Sequence, residues 1–286
     1  MLPAEFDYYR PRDVSDAVRA LAEHGEEGKL LAGGQSLIPL LKLRFAVPRV
    51  IIDINQVGGL DYIRSDWNRL LIGARTRQVE LGSSDEVKRL APVIAAAAPQ
   101  VADPIVRNWG TVGGSLAHAD PAGDMGAVMI ACDAEIVALS SRGERVMRAR
   151  EFFDSPFTTI LQPDELLVEI RVPLAGGRPF GAYYKLERKI GDFATVGVAV
   201  ALDIDNGVVK KAGIGLTAVG PTNLEARAAS EMLAGRSLDE HTIQEAARLA
   251  AHAAEPNSDL RGSADYKRDV VRVYVQRALR AARGDA

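Results

Sequence analysis

The sequence predicts an α+β protein of two units, and three observations carry that reading. A length of 286 residues allows about two domains at roughly 100 to 200 residues each. The first half reads as short strands alternating with helices, whereas the second reads as three strands followed by three helices. Between the two patterns, Ala175, Gly176, Gly177, Arg178 and Pro179 make the best linker in the chain. The expected units are residues 1–176 and 177–286, the second a three-stranded antiparallel sheet packed with helices.

Taken in order, Ser15 is placed to cap a helix carrying Val18, Leu21 and Ala22 that ends near Gly25. Lys29, Leu30 and Leu31 read as a strand running into Ala32, Gly33, Gly34, Gln35 and Ser36, with a short apolar helix over residues 37–43. Residues 50–53 are a compact buried strand, and residues 61–64 and 70–72 flank a polar turn as a hairpin does. Pro92 suits the first turn of an alanine-rich helix ending by Pro99. Residues 124–132 put Val128, Met129 and Cys132 on one helical face, and residues 135–139 and 145–147 form a second hairpin. A strand over residues 166–172 closes the first unit at Pro173. In the second unit, strands are expected over residues 181–187, 193–203 and 208–219, the last two joined by Asp205, Asn206 and Gly207. Helices over residues 223–234, 240–254 and 265–283 follow, the last with Tyr266, Val270, Val273 and Tyr274 on its packed side.

Composition narrows the function. Thirty-five Lys and Arg against 38 Asp and Glu leave a net charge of −3, so no nucleic-acid footprint is expected. The lone cysteine, Cys132, excludes an intramolecular disulfide, a thiolate zinc site and a four-cysteine iron–sulfur cluster for this chain alone. No segment approaches the roughly 18 apolar residues of a membrane span, and MLPAEFDYYRPRD has no leader pattern, so a cytoplasmic location is expected.

Neither a G-x-x-x-x-G-K-[ST] loop nor a strand–G-x-G-x-x-G–helix unit occurs. Instead the chain carries two similar stretches, Ala32-Gly33-Gly34-Gln35-Ser36-Leu37 and Thr111-Val112-Gly113-Gly114-Ser115-Leu116. Paired glycines let successive N–H groups converge on an anion, and Ser36, Thr111 and Ser115 add hydroxyls. Two donor-rich loops without a dedicated positive charge suit a diphosphate; tight turns are the alternative, and the residues leave both open. Asp124 could bind ribose hydroxyls, with a helix N-cap the favoured reading. Cys132 reads as buried, Trp109 as core, and His118 and Lys185 as exposed polar side chains.

The stretches KLLAGGQSLIPLLKLRFAVP, NWGTVGGSLAHADPAGDM, DELLVEIRVP and YYKLERKIGDFATVGVAV together resemble the FAD-binding medium subunits of the molybdenum hydroxylases, the xanthine dehydrogenase family, and most of all its carbon monoxide dehydrogenase branch. The resemblance runs over essentially the whole chain. It implies a two-part, PCMH-type FAD-binding domain shared with vanillyl-alcohol oxidase, then a flavoprotein C-terminal domain. It implies that Lys29, Leu30, Leu31, Ala32, Gly33, Gly34, Gln35 and Ser36, with Thr111, Gly113, Gly114 and Ser115, hold the FAD pyrophosphate. Val101 matches a flavin contact, Asp124 the acidic cofactor ligand, Leu166 an adenine-side contact and Lys185 a lysine near the flavin ring. Ser115 replaces an Asn of many relatives, and Phe193 replaces the Tyr that carbon monoxide enzymes place beside the isoalloxazine.

By the same resemblance, no side chain need act as a catalytic base. The subunit takes single electrons from the [2Fe-2S] clusters of a small iron–sulfur subunit and passes them to a quinone or NAD, while substrate oxidation occurs on a large molybdopterin subunit. The expected assembly is a dimer of heterotrimers, a form that allows peripheral membrane association. Three other readings stand beside it: the medium subunit of an aldehyde or N-heterocycle hydroxylase, a stand-alone flavin oxidoreductase, and a cofactor-free scaffold subunit.

Overall fold

The structure is a computed structural model that describes residues 2–285. The N-terminal region has two parts, as expected. In the first, strands Asp7–Tyr9, Gly28–Leu31 and Val50–Asp53 form a parallel sheet with Val50–Asp53 at its centre. The central run Val50, Ile51 and Ile52 is buried, the signature of a strand covered on both faces. Helix Val14–His24 packs Ala17, Val18 and Leu21 against it. Its cap is Asp13, whose carboxylate accepts the Asp16 N–H at 2.8 Å; Ser15, expected in that role, already lies inside the helix.

The second part is a five-stranded antiparallel sheet, ordered Ile63–Ser65, Arg69–Gly73, Leu166–Pro173, Glu135–Ser140 and Gly143–Arg148. Both sequence-predicted hairpins are present, paired Ile63 to Ile72 and Ile136 to Met147. Short helices Gln78–Ser83, Asp85–Leu90, Pro92–Ala97, Pro104–Trp109, Val112–His118 and Asp124–Ala131 cover the sheet around Leu70, Ile72, Met125, Met129, Ile136 and Phe152.

The C-terminal sheet has four strands instead of three: Arg178–Leu186, Val196–Asp205, Val208–Thr217 and the short Leu224–Glu225. Asn206 and Gly207 both take positive φ, 50° and 77°, the pair of left-handed residues that a two-residue hairpin needs. Helices Arg227–Leu233, Glu240–Ala253 and Ala264–Arg283 pack on one face. The last helix buries Lys267, Val271, Val275, Ala278 and Ala282. Its packed stripe is therefore one residue on from the expected Tyr266–Val270–Val273–Tyr274 set, whose aromatics lie at the rim.

Helix Asp124–Ala131 joins the regions. Every one of its residues is buried, so it has no exposed face of the kind a one-sided amphipathic helix shows. One side meets the N-terminal core, and the other meets strand Val208–Thr217, where Gly213 and Gly215 admit the carbonyls of Ala131 and Ala127; a Cβ at either glycine would stand 1.9 Å from the oxygen. Asn223 Nδ2 closes the seam by donating to Gly123 O at 3.2 Å.

Candidate functional site

The first glycine stretch leaves strand Gly28–Leu31 and turns into helix Leu37–Leu43. Lys29, Leu30 and Leu31 are ladder residues, paired with Ile51, Ile52 and Asp53, so they carry the chain to the turn and offer it no converging side chains. Gly34 makes the turn at φ 73°. Gly33 is needed for a different reason: a Cβ there would lie 2.3 Å from Trp109 O and 2.9 Å from Gly110 Cα. Glycine lets the first stretch lie directly against the segment that leads into the second. Among the described residues, the N–H groups of Gly33, Gly34, Gln35 and Ser36 find no intramolecular acceptor. Ser36 sits at the N-cap position without spending its hydroxyl on a cap. This is an array of donors at a half-buried turn, the physical basis of anion binding.

The second stretch differs from the expected loop. Thr111 is an N-cap whose hydroxyl accepts the Gly114 N–H at 3.1 Å, and Gly113 and Gly114 lie in the first turn of helix Val112–His118. The Gly113 N–H is also committed, to Ala74 O at 2.8 Å. The N–H groups of Gly113, Gly114 and Ser115, the last donating to Thr111 O at 3.0 Å, are thus all used internally. What remains open is the exposed Gly114 surface and the hydroxyl of the half-buried Ser115. The first stretch supplies the free amides, and Trp109 and Gly110, which lead into the second, are the wall against which it rests.

A buried polar cluster spans the two regions. Lys185 is 1% exposed and its Nζ donates to Gln100 O at 2.9 Å and to Asp124 Oδ2 at 3.1 Å, with Glu187 Oε2 at 3.5 Å. Tyr183 donates its hydroxyl to Asp124 Oδ1 at 2.5 Å. Burial drives the Asp124 carboxyl upward in pKa against the pull of Lys185, and burial followed by the Asp124 charge raises Tyr183. Three readings are corrected here. Lys185 is not a solvated side chain, because Tyr183, two residues earlier on the strand, shares its face and both reach Asp124. Asp124 does not cap its helix; Gly123 holds that position and the carboxylate is taken by the pair. Trp109, expected in the core, is 56% exposed under the Arg77 guanidinium.

The remaining candidates scatter. Val101 is half-buried next to Gln100, so it belongs with the Lys185 cluster. Phe193 is 53% exposed just before strand Val196–Asp205, with its carbonyl held by Arg261 at 2.7 Å. Leu166 is 1% exposed in the core with Val50 and Ile52, which leaves only its backbone to meet a ligand. His118 is half-buried with its ring centroid 5.4 Å from that of Phe157, and burial lowers its pKa. Cys132 is buried as expected, its thiol pushed up to about 12.

Sequence reasoning missed a set of groups beside the first stretch. Asn55 Nδ2 donates to Ala32 O at 2.7 Å, and Arg77 bridges the Asn55 side chain and Trp109 O. A guanidinium that the sequence reading did not anticipate therefore stands beside the first stretch. The signal was available in Arg75 and Arg77, directly after a predicted strand, but nothing local ties them to a glycine pair more than 30 residues away.

Residues 4–175 match the family described as FAD binding domain in molybdopterin dehydrogenase, and residues 181–282 match CO dehydrogenase flavoprotein C-terminal domain. The chain is 43% identical over 282 residues to the carbon monoxide dehydrogenase medium chain of Hydrogenophaga pseudoflava, covering 99% of this chain and 98% of that one. It is 38% identical to the 6-hydroxypseudooxynicotine dehydrogenase complex subunit alpha of Paenarthrobacter nicotinovorans, covering 99% and 96%. Among solved structures, carbon monoxide dehydrogenase from Hydrogenophaga pseudoflava, in a form lacking the Mo-pyranopterin moiety, superposes with a TM-score of 0.94 at 44% identity, covering 99% of each chain.

Proposed function

The chain belongs to the FAD-binding medium-subunit family of the molybdenum hydroxylases, an oxidoreductase subunit with FAD as its cofactor, and from that membership we propose that it is the electron-transfer subunit of a heterotrimeric, carbon monoxide dehydrogenase-like complex. In this reading a small iron–sulfur subunit delivers electrons, a large molybdopterin subunit oxidises the substrate, and a quinone or NAD is the final acceptor. Carbon monoxide is the substrate favoured by similarity; the comparable similarity to a pseudooxynicotine enzyme keeps an N-heterocycle or aldehyde as the alternative. We keep the division into residues 1–176 and 177–286 as part of the proposal.

The single observation that carries the flavin role is the run of unpaired amides at residues 33–36 set against Trp109 and Gly110. That arrangement fits a diphosphate: a side chain at Gly33 would fill the contact, and the donors have no other partner among the described residues. Bound FAD supplies the exchange between one-electron and two-electron carriers. The chain's own residues hold and orient it. The amides of Gly33, Gly34, Gln35 and Ser36 and the Ser36 hydroxyl would receive the diphosphate oxygens. Asp124, kept in place by Tyr183 and Lys185, and the Val101 segment, tied to Lys185 through Gln100 O, would form the seat where the two regions meet. The Lys185 ammonium holds a fixed positive charge there, excluded from water. Cys132 alone cannot ligate a two-iron cluster, which is why single electrons must be brought by another chain.

The test is co-purification from the native source or a co-expressed operon. Flavin absorbance in this chain, with an iron–sulfur chain and a molybdopterin chain accompanying it, is the expected outcome. A folded chain that takes up FAD and turns over a small substrate unaided would overturn the subunit role.

A further inference from the structure

Arg77 has no part in the roles above, yet its position is unusual. It is the residue that opens helix Gln78–Ser83. Its Nη1 donates to Trp109 O, the oxygen against which Gly33 packs. Its Nη2 donates to Asn55 Oδ1 at 3.1 Å, and Asn55 in turn donates to Ala32 O at 2.7 Å. The guanidinium also lies over the Trp109 ring, 5.7 Å from its centroid. One planar fork therefore touches a group on each side of the contact between the two glycine stretches. Arginine suits this because its donors diverge in a fixed plane, which a lysine cannot reproduce.

No carboxylate hydrogen-bonds the guanidinium; Glu80 and Asp61 act on its charge only through space. Both oxygens that Arg77 holds are neutral, and a second guanidinium, Arg75, stands close by; burial first and the Arg75 charge second lower the Arg77 pKa. Arg75 is mostly buried and its charge is already met by Asp61 at 2.8 Å, with only its Nε left without a partner among the described residues. One partly desolvated guanidinium without a hydrogen-bonded carboxylate, beside four unpaired amides, suits an anion.

We propose that Arg77 is the positioning residue of the diphosphate cradle: it locks residues 32–36 and 109–110 in register and supplies the positive charge that the glycine stretches lack. This rests on the FAD reading above. Bidentate arginine is the geometry by which proteins most often recognise phosphate oxygens, so the same fork can add a direct contact without leaving its place.

The experiment uses the full chain freed of flavin, with Arg77→Gln and Arg77→Lys, titrated with FAD, with ADP and with riboflavin. FAD and ADP carry the diphosphate and riboflavin has no phosphate. Arg77→Gln is expected to weaken FAD and ADP by about tenfold to a hundredfold, the range for losing charged hydrogen bonds. Riboflavin should change less than about twofold, since it carries no phosphate for the Arg77 charge to meet. Salt should weaken ADP binding less steeply in Arg77→Gln than in the wild type, a readout a structural role would not move. Arg77→Lys should recover the salt dependence but only part of the affinity. Unchanged FAD and ADP affinities, or an equal loss for riboflavin, would overturn the proposal. A wild-type chain that binds neither FAD nor ADP would overturn the flavin reading itself, and this proposal with it.

Discussion

Replacing Lys185 by Met tests the buried cluster most directly. The ammonium is 1% exposed and is the cation facing two carboxylates, Asp124 at 3.1 Å and Glu187 at 3.5 Å, the second of which has an oxygen with no hydrogen-bond partner. Methionine keeps the volume and removes the charge. Breaking a buried pair from one side costs about 3–5 kcal/mol, and two stranded acids place this case at the upper end. For a chain of this size that corresponds to a fall in Tm of roughly 8–20 °C. The loss must also depend on pH. Burial already raises the Asp124 pKa above that of the unfolded chain, about 3.9, and removing Lys185 raises it further. A group whose folded pKa is raised contributes fully below the unfolded value and loses that contribution as pH climbs through the folded value. The deficit of Lys185→Met should therefore be smaller at pH 5 than at pH 8. Urea unfolding of the flavin-free chain at both pH values measures it, and adding Asp124→Asn should return about 2 kcal/mol through pairwise coupling. A deficit below about 1 kcal/mol at pH 8, or one that shrinks as pH rises, would refute the reasoning.

Other expectations follow from single contacts. Gly33→Val should abolish flavin retention, because its side chain must displace Trp109 O, 2.3 Å from the ideal Cβ; a variant that purifies with a full complement of FAD would count against the cradle. Gly215→Ala should destabilise by about 3 kcal/mol or more, above the usual range for overpacking, since its Cβ would meet backbone and not a flexible side chain. Thermal melts decide this, and a Tm equal to wild type would sink it. The Cys132 thiol, buried and pushed up to about 12, should resist a thiol reagent at pH 8 in the native chain and react only after denaturation; immediate stoichiometric labelling is the contrary result.

Much of the strand pattern was legible because burial on one or two faces leaves a direct imprint. Residues 50–53 and both hairpins of the first unit were recognisable for that reason, their ends shifting by a residue or two. The helices between residues 78 and 118 were mostly not legible. They are six or seven residues each, too short for periodicity to speak, and tertiary packing stabilises them more than propensity does. The second glycine pair shows the limit most clearly. Glycine is a poor helix former, so the sequence read as a loop, but the Thr111 cap and the Gly113 contact with Ala74 make it a helix start. The Lys185 misreading has another cause. Counting immediate neighbours set it opposite an aromatic, while its true partner, Asp124, lies 61 residues away in sequence.

The all-buried helix Asp124–Ala131 has a consequence for the order of events during synthesis. The amide array at residues 33–36 leaves the ribosome early, and the carboxylate of Asp124 soon after, but the strand Arg178–Leu186 that brings Lys185 emerges later. Until strand Val208–Thr217 has also appeared to cover the second side of the helix, apolar side chains on that side face water. A chain stopped between the two strands would own most of its cofactor donors and still expose its seam, a natural target for chaperones and proteases. Such a chain holds the cofactor donors before its seam is covered, so retained flavin by itself would not report that translation had run past strand Val208–Thr217.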